Sequence, residues 1–342
     1  RAAGDFAGKL YSKSYDETED EFDILEYAQQ AVSEISNVVS TKQEQDTRQV
    51  GESAMKRIND QRAGISMQGI NLGIANFDRA TGGLKPCDLI ILAGRPGMGK
   101  SSFITTAMKN LGEAGVKCGF FTFEMDSESQ YYRIVAQKSG ISLSKITNAS
   151  LLSNEEHMRL MQEGDIVNDF PAIYYDESPI FAIVSSKLRS MVAQGCKIIF
   201  IDYLQLMIGD SKYREQEIAG MTRALKGLAK ELKVPIVAAS QLSRDVEKRG
   251  GSKRPTLADL RESGAIEQDS DMVIFLYRPE YYQIFEDENG NSTRGLAEII
   301  IAKFRNGEPG TVLTRFVKER TEFQYDSSLD DGYEENQIQL PF

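Results

Sequence analysis

One octapeptide, Gly94-Arg-Pro-Gly-Met-Gly-Lys-Ser101, constrains the fold more than any other stretch of this 342-residue chain. It follows the apolar run 89–93 and precedes the segment 103–108, which read as a buried strand and a helix. This order suits the pattern G-x-x-x-x-G-K-S, in which backbone N–H groups and the positive end of the helix dipole surround phosphate oxygens. A glycine-rich turn that matches by chance is the alternative, and the order of the flanking elements disfavours it.

The motif predicts how a nucleoside triphosphate and its metal ion are held. Lys100 is expected to reach the β- and γ-phosphates, and the Ser101 hydroxyl is expected to ligate Mg²⁺. The expected cofactors are ATP and Mg²⁺. The residues predicted to bind the nucleotide are Gly94, Arg95, Pro96, Gly97, Met98, Gly99, Lys100, Ser101 and Ser102.

Strands and helices alternate from Asp88 onward. Short apolar strands separated by helices indicate a mostly parallel, doubly wound α/β sheet, and the absence of helices between the last strands indicates an antiparallel edge. The predicted strands are 89–93, 118–123, 172–175, 197–201, 234–239, 272–276, 297–303 and 312–317. The predicted helices are 100–111, 127–138, 154–166, 180–193 and 214–232.

Charge and cysteine content limit the partners and the compartment. The net charge is −11, but residues 16–26 and 326–335 hold twelve of the 51 acidic side chains and no base. The remainder is nearly neutral, which disfavours broad coating of duplex DNA but permits a narrow basic channel. Three cysteines without metal-ligand spacing fit buried thiols, and no apolar stretch approaches the ~20 residues that span a bilayer. We therefore expect a cytoplasmic protein without a membrane partner.

Two carboxylates follow predicted strands and are expected near the phosphate-binding loop. Asp202 ends the apolar run 198–202 and could hold Mg²⁺ together with Ser101. Glu124 ends the segment 118–124 and could orient and deprotonate the attacking water. An apolar run that ends in an acid by chance is the alternative for Asp202, and a solvated glutamate at a strand end is the alternative for Glu124.

Gln241 ends another apolar strand, and a basic loop follows it. The amide both donates and accepts, so it could sense the γ-phosphate, although an ordinary strand-end amide explains it equally well. The loop 243–260 is rich in bases and glycines and includes Arg244 and Arg254. It suits backbone phosphates of a nucleic acid, and without aromatic residues it predicts little base stacking. A solvated surface loop is the alternative.

Lys303 and Arg305 come at the end of a predicted strand, just before a tight turn at 307–310. Arg305 is a candidate arginine finger that stabilises a phosphoryl transition state, in its own or in another subunit. A salt bridge on a surface hairpin is the alternative reading of the same residues.

Together these stretches resemble the DnaB-type replicative DNA helicases of bacteria and phages, which are RecA-like P-loop ATPases. The matching segments keep the family's order between about residues 70 and 325, and they are 81–84, 95–101, 123–125, 201–207, 240–244, 259–269 and 303–307. The phosphate-binding loop alone is generic. The segments 259–269 and 303–307 are specific to this family.

The resemblance implies an ATP-hydrolysing helicase that forms a homo-hexameric ring, binds nucleotide between subunits, moves on single-stranded DNA and unwinds duplex at the replication fork. It implies that Glu124 is the catalytic base and that the cations 303 and 305 reach a neighbour's nucleotide. The predicted catalytic residues are Glu124, Lys100, Gln241, Arg305 and Lys303. The predicted DNA-binding residues are Arg261, Glu262, Gly264, Arg244 and Arg254.

Residues before the ATPase domain carry an amphipathic stripe. The stripe comprises Leu25, Ala28, Val32, Ile35 and Val39 at helical spacing. The resemblance implies a linker helix that docks on the adjacent subunit. We predict residues 1–20 as disordered or a remnant of an N-terminal domain, 21–62 as the linker-helix region, 63–326 as the RecA-like domain and 327–342 as an acidic flexible tail. A helicase loader and primase are candidate partners, primase mainly through an N-terminal domain largely absent here.

Two other functions share the ATPase core. A RecA/RadA-type recombinase would coat DNA as a filament, and the predicted linker helix and the segment 261–264 favour the ring instead. A loader or clock-type scaffold would use ATP only to assemble, and intact Glu124 and Arg305 argue against it.

Overall fold

The structure, a computed structural model, describes residues 2–14, 27–28, 46–62, 69–207, 214–243, 245–248, 253–287 and 290–332. The chain divides into two compact units at the Met67–Gln68 junction. The first unit contains helices α1 (Ala2–Ser14) and α2 (Thr47–Arg62). Helix α1 lies where we predicted either disorder or a domain remnant. Apart from Ala28, the amphipathic stripe falls outside the described residues, so the linker helix and the domain boundaries stay predictions.

The second unit is built on one nine-stranded sheet. Its strands are β1 (Leu89–Gly94), β2 (Cys118–Thr122), β3 (Ala172–Tyr175), β4 (Ile198–Asp202), β5 (Ile236–Gln241), β6 (Met272–Tyr277), β7 (Leu296–Phe304), β8 (Gly310–Val317) and β9 (Glu322–Gln324). The spatial order is β3-β2-β4-β5-β1-β6-β7-β8-β9. The first six strands in this spatial order, β3, β2, β4, β5, β1 and β6, pair in parallel. Strands β7, β8 and β9 add an antiparallel edge. The prediction of a doubly wound sheet with an antiparallel edge is confirmed.

Helices connect the strands of the second unit. They are α3 (Ala75–Thr81), α4 (Lys100–Glu113), α5 (Ser127–Ser139), α6 (Leu143–Thr147), α7 (Asn154–Asn168), α8 (Phe181–Ala193), α9 (Arg214–Leu232), α10 (Asp245–Lys248) and α11 (Gly264–Asp269). Short 3₁₀ segments lie at Ala149–Leu151, Leu204–Met207, Leu257–Ser263, Pro279–Tyr282 and Ser327–Gly332. No helix in the described ranges has the length and apolar character needed to cross a membrane.

The sheet is buried on both faces because its central strands are apolar at most positions on both sides. All six residues of β1 are buried, and alternate residues supply two separate cores. Ile90 and Leu92 join the core that contains Phe103 of α4, whereas Ile91 joins the core that contains Leu225 of α9. Helices cover both faces of the sheet, so polar side chains that reach solvent lie at the ends of its strands.

Asp88 is an acid placed against a second acid at the amino-terminal edge of the sheet. Burial, followed by the charge of Asp271, raises the pKa of Asp88 from 3.8 to about 6. A folded-state pKa above the unfolded value means that ionisation opposes folding, so stability is lost as the pH rises from about 4 through about 6. The full shift corresponds to about 3 kcal/mol, which solvent screening reduces to an expected effect of about 1 kcal/mol.

We therefore predict that Asp88→Asn stabilises the protein at pH 8 by about 1 kcal/mol and has little effect at pH 4.5. Denaturant unfolding of both proteins at the two pH values measures the difference. Equal stabilities at pH 8, or a variant that is less stable there, would contradict the assigned effect of burial.

Candidate active site

The phosphate-binding loop joins the end of β1 to the start of α4. Gly97 and Gly99 have φ values of 81° and 97°, a region that favours glycine. A Cβ at Gly97 would lie 2.5 Å from a ring atom of Tyr281, so the loop also has no room for a side chain there. Lys100 begins α4, and its Nζ donates to the carbonyl oxygen of Gly94 at 2.9 Å. The lysine is thus held over the loop that it is predicted to serve.

The predicted metal ligands meet in the structure. The Ser101 hydroxyl donates to Asp202 Oδ2 at 2.5 Å, which joins the start of α4 to the end of β4. Asp202 is 2 % exposed, and its Oδ1 has no hydrogen-bond partner among the described residues. Burial raises the pKa of Asp202 and lowers the pKa of Lys100. A buried carboxylate oxygen without a partner, beside a hydroxyl, fits the hard-oxygen ligation that Mg²⁺ prefers.

Glu124 stands two residues beyond β2 and is exposed. Its neighbours in the chain fix its position. The Phe123 N–H donates to the Asp202 carbonyl oxygen at 2.9 Å, and the Thr122 hydroxyl donates to the Met125 carbonyl oxygen at 2.6 Å. These bonds hold Glu124 next to the end of β4, the strand that carries Asp202. This is the side of the sheet on which the parallel strands, including β1, have their carboxyl-terminal ends.

A cavity of about 320 Å³ opens beside these groups and contains residues that the sequence analysis missed. Its lining includes Lys100, Ser101 and Glu124, and also Arg133, Arg278, Phe316, Lys318 and Thr321. Burial lowers the pKa of Arg133, and its Nε has no hydrogen-bond partner among the described residues. A phosphate oxygen would satisfy such a cation.

Arg278 and Phe316 present a second recognition feature in this cavity. The Arg278 guanidinium lies over the Phe316 ring at 3.8 Å from its centroid, and it donates to the Gly97 carbonyl oxygen at 3.1 Å. Flat cationic and aromatic groups of this kind suit a nucleotide base. Arg278 directly follows the buried strand β6. A polar residue at the end of an apolar run is the same signal that predicted roles for Glu124 and Gln241. The sequence signal was present for Arg278, whereas none marked Phe316.

Gln241 lies at the end of β5, beside Gly94 of β1. Gln205, from the 3₁₀ segment after β4, exchanges two hydrogen bonds with the Gln241 backbone, each 3.2 Å long. The Gln205 amide also donates to the Ser240 hydroxyl at 2.9 Å. The strand that carries Asp202 and the strand that carries Gln241 are thus joined by one side chain.

Arg95 of the phosphate-binding loop is 6 % exposed and faces the segment after β5. Its guanidinium donates to the Leu242 carbonyl oxygen at 2.8 Å and to Glu247 Oε1 at 2.9 Å. Glu247 belongs to α10, within the basic loop 243–260. The phosphate-binding loop and the basic loop therefore share a charge-assisted contact.

Lys303 and Arg305 lie at the amino-terminal ends of the parallel strands, whereas the phosphate-binding loop lies at their carboxyl-terminal ends. These two ends are called the two edges. Phe304, at the end of β7, pairs with Met272 at the start of β6, and the Arg305 N–H donates to the Asp271 carbonyl oxygen at 2.8 Å. Because β1 has six residues, the two edges are about 17 Å apart. At that separation these cations lie too far from their own subunit's phosphate-binding loop to contact a phosphate held there.

The predicted DNA-binding residues are only partly described. Arg244 lies outside the described residues. Arg261, Glu262 and Gly264 are described in the backbone alone, in the 3₁₀ segment Leu257–Ser263 and at the start of α11. Arg254 contacts the sheet instead, donating to Glu298 Oε2 at 2.7 Å and to the Thr311 hydroxyl at 2.6 Å. Their roles on DNA stay predictions.

Sequence comparison shows which known proteins this chain resembles. A model of the family described as DnaB-like helicase C terminal domain matches residues 69–325. The replicative DNA helicase DnaB of Geobacillus stearothermophilus is 38% identical over 277 residues, which cover 79% of this chain and 59% of that protein. The replicative DNA helicase DnaC of Bacillus subtilis (strain 168) is 36% identical over 333 residues, which cover 94% of this chain and 70% of that protein.

Solved structures agree with the sequence matches. One solved ATPase domain is 32% identical and superposes with a TM-score of 0.73 over 80% of this chain and 98% of that one. A DnaB-like replicative helicase, studied with its interactions with primase, is 30% identical and superposes with a TM-score of 0.72 over 94% of this chain and 75% of that one.

Proposed function

The chain belongs to the family of DnaB-like helicases, and from that premise we propose that it is an ATP-dependent replicative DNA helicase working as a hexameric ring on single-stranded DNA in the cytoplasm. The observation that supports the ring most strongly is the separation of Lys303 and Arg305 from the phosphate-binding loop of the same subunit. A site that needs both parts is complete only when a second copy supplies the cations.

The residues of one subunit bind and orient the nucleotide. The phosphates bind to the backbone N–H groups of Gly97 and Gly99 and to the side chain of Lys100. The base packs against Arg278 and Phe316. Ser101 and Asp202 would hold Mg²⁺, which would neutralise charge on the transferring phosphoryl group. Glu124 orients the attacking water and accepts its proton.

The next subunit supplies the positive charge that the transition state lacks. Arg305, with Lys303 beside it, stabilises the charge that develops on the γ-phosphoryl oxygens. Gln241, held by Gln205, detects that group, and the contact of Arg95 with Glu247 connects the phosphate-binding loop to the basic loop that binds DNA. Successive hydrolysis at the interfaces moves the subunits along one strand and excludes the other.

Displacement of a labelled strand from a forked duplex tests the proposed activity. We expect unwinding that requires ATP and Mg²⁺ and stops when Lys100 is replaced with alanine. Electron microscopy with an ATP analogue and a single-stranded oligonucleotide should display closed or cracked rings. Continuous filaments on DNA without strand displacement would instead indicate the recombinase alternative.

Assembly through the stripe 25–39 is a further part of this proposal. A mostly apolar groove between α5 and α7 is lined by Tyr131, Tyr132, Val135, Ile146, Leu160, Met161, Gly164, Asp165 and Asn168. Met161 is 56 % exposed although it is apolar, which is typical of a surface that another segment covers. We propose that the stripe of a neighbouring copy occupies this groove, and that primase and a loader bind the assembled ring.

We predict that Met161→Glu weakens ring formation at least about tenfold, because a carboxylate in an apolar contact loses its hydration. Sedimentation or light scattering across protein concentrations measures the effect. Met158→Glu is the matched control, since Met158 lies on the same helix at 62 % exposure and does not line the groove. Equal assembly of both variants would argue against the groove as the contact surface.

A further inference from the structure

The two cations proposed to act on a neighbour's nucleotide are held by one short stretch of chain, residues 267–271. Arg305 donates to Asp271 Oδ1 at 3.1 Å and to the Gln268 carbonyl oxygen at 2.6 Å. Lys303 donates to the Ser270 carbonyl oxygen at 2.7 Å and to the Glu267 carbonyl oxygen. Asp271 is the single side chain among these four acceptors.

Asp271 itself is firmly fixed. Its side chain is 8 % exposed, and Oδ2 accepts the Leu89 N–H at 2.8 Å and also the ammonium of Lys226. Lys226, from α9, further donates to the Cys87 carbonyl oxygen at 2.7 Å. Oδ2 therefore binds Leu89 and Lys226 of the domain core, and Oδ1 accepts the hydrogen bond from Arg305.

Asp271 can hold Arg305 while the guanidinium also reaches a phosphate. Arg305 gives one N–H to Asp271 and one to Gln268, which leaves three of its five N–H groups for an anion. Asp271 itself stays anchored through its ion pair with Lys226 and its hydrogen bond from Leu89. The Arg305 side chain is 47 % exposed, so solvent and a neighbouring molecule can reach it.

The same stretch is continuous with the loop proposed to grip DNA. Helix α11 begins at Gly264, within that loop, and its last turn supplies one carbonyl acceptor for each cation, Glu267 for Lys303 and Gln268 for Arg305. Six helical residues span about 9 Å. A displacement of the loop therefore shifts the acceptors of Lys303 and Arg305 directly.

We propose that Asp271 is a positioning residue that presents the Arg305 guanidinium to the nucleotide of the adjacent subunit. The inference rests on the proposed function, because it assigns Arg305 a partner within the machinery already described. Asp271 acts through Arg305 and touches no nucleotide itself.

The first test compares Asp271→Asn with the wild type. We expect kcat to fall about tenfold or more while KM changes less than about twofold, since the lost interaction operates in the transition state. Asp88→Asn is the matched control, because Asp88 lies beside Asp271 but contacts Asn306 and not Arg305. Wild-type kcat in Asp271→Asn would overturn the inference.

The second test separates positioning from damage to the fold, by mixing subunits. In a random equal mixture of Asp271→Asn subunits with Lys100→Ala subunits, about a quarter of the interfaces join an intact phosphate-binding loop to a neighbour in which both Asp271 and Arg305 are intact. The mixture of Arg305→Ala with Lys100→Ala sets the benchmark. We expect equal recovery of ATP hydrolysis in the two mixtures, each well above its separate components.

Recovery with Arg305→Ala but not with Asp271→Asn would overturn the inference and leave the proposed function standing. Recovery in neither mixture would overturn the shared site, and the inference with it. Asp271→Glu guards against a variant that does not fold, since it keeps the charge and displaces the guanidinium. We expect it to bind nucleotide normally and to turn over more slowly than the wild type. Unchanged kcat in that variant would contradict the inference.

Discussion

Glu124→Gln is expected to bind ATP with wild-type affinity and to hydrolyse it about 100-fold to 10,000-fold more slowly, because an amide cannot accept the proton of the attacking water. The substitution preserves size and hydrogen-bonding reach, and the backbone contacts of Phe123 and Thr122 that fix this position do not involve the carboxylate. Single-turnover hydrolysis and binding of a fluorescent ATP analogue measure the two quantities separately.

Glu128→Gln provides the control for this result. Glu128 lies four residues further on, in the first turn of α5, and does not line the nucleotide cavity. We expect its variant to hydrolyse ATP at close to the wild-type rate. Normal hydrolysis by Glu124→Gln would remove Glu124 as the base and leave the nucleotide-binding residues unaffected.

The fold could be predicted from sequence because the signals were local. Apolar runs, interrupted by polar residues only toward the antiparallel edge in β7 and β8, marked the eight longer strands, and each predicted strand appears within about two residues of its expected bounds. The phosphate-binding loop, Asp202 and Glu124 were predictable since each directly follows such a run. Parallel strands bring these strand ends to one edge, so sequence order alone implied their proximity. The three-residue β9 and the short helices α3, α6, α10 and α11 were missed because few residues give little periodicity.

The rest of the site depends on tertiary packing that sequence order does not reveal. Phe316 reaches the cavity from β8, more than 200 positions after Lys100, and Arg133 reaches it from the middle of a helix. Asp271 had no distinguishing pattern, yet the antiparallel return of β7 brings Arg305 to it. The two edges of one sheet thereby acquire different roles. One end of the parallel strands carries the residues proposed to hold the nucleotide, and the other end carries the cations proposed to act on a neighbour's nucleotide.

Contacts between the two edges and the DNA-binding segments give the proposed motor its coupling. At one edge, Arg95 connects the phosphate-binding loop to Glu247 in the basic loop. At the other edge, helix α11 connects residues 261–264 to the acceptors of Arg305. In the proposed ring, a DNA strand bound by these segments would be linked to the subunit's own nucleotide and to its neighbour's. We propose that both links are needed for hydrolysis at an interface to follow the state of the DNA.

Arg305→Ala is expected to bind ATP like the wild type and to lose about 10³-fold or more in kcat, the range that arginine fingers contribute. Binding should persist because Arg305 lies about 17 Å from its own phosphate-binding loop, at the far edge of the sheet. Steady-state hydrolysis and equilibrium nucleotide binding, both above the concentration at which rings form, measure the two effects.

Arg315→Ala is the matched control for that loss. Arg315 lies on the adjacent strand β8 with a side chain 38 % exposed, and it pairs with Asp326 at 2.6 Å. Removing it takes away an exposed arginine of the same edge strands without touching the acceptors of Arg305, so turnover should stay near wild type. The shared site also requires wild-type turnover per subunit to rise with protein concentration until rings are complete. Full turnover by a dilute monomer, or by Arg305→Ala, would mean that one subunit completes the catalytic site alone.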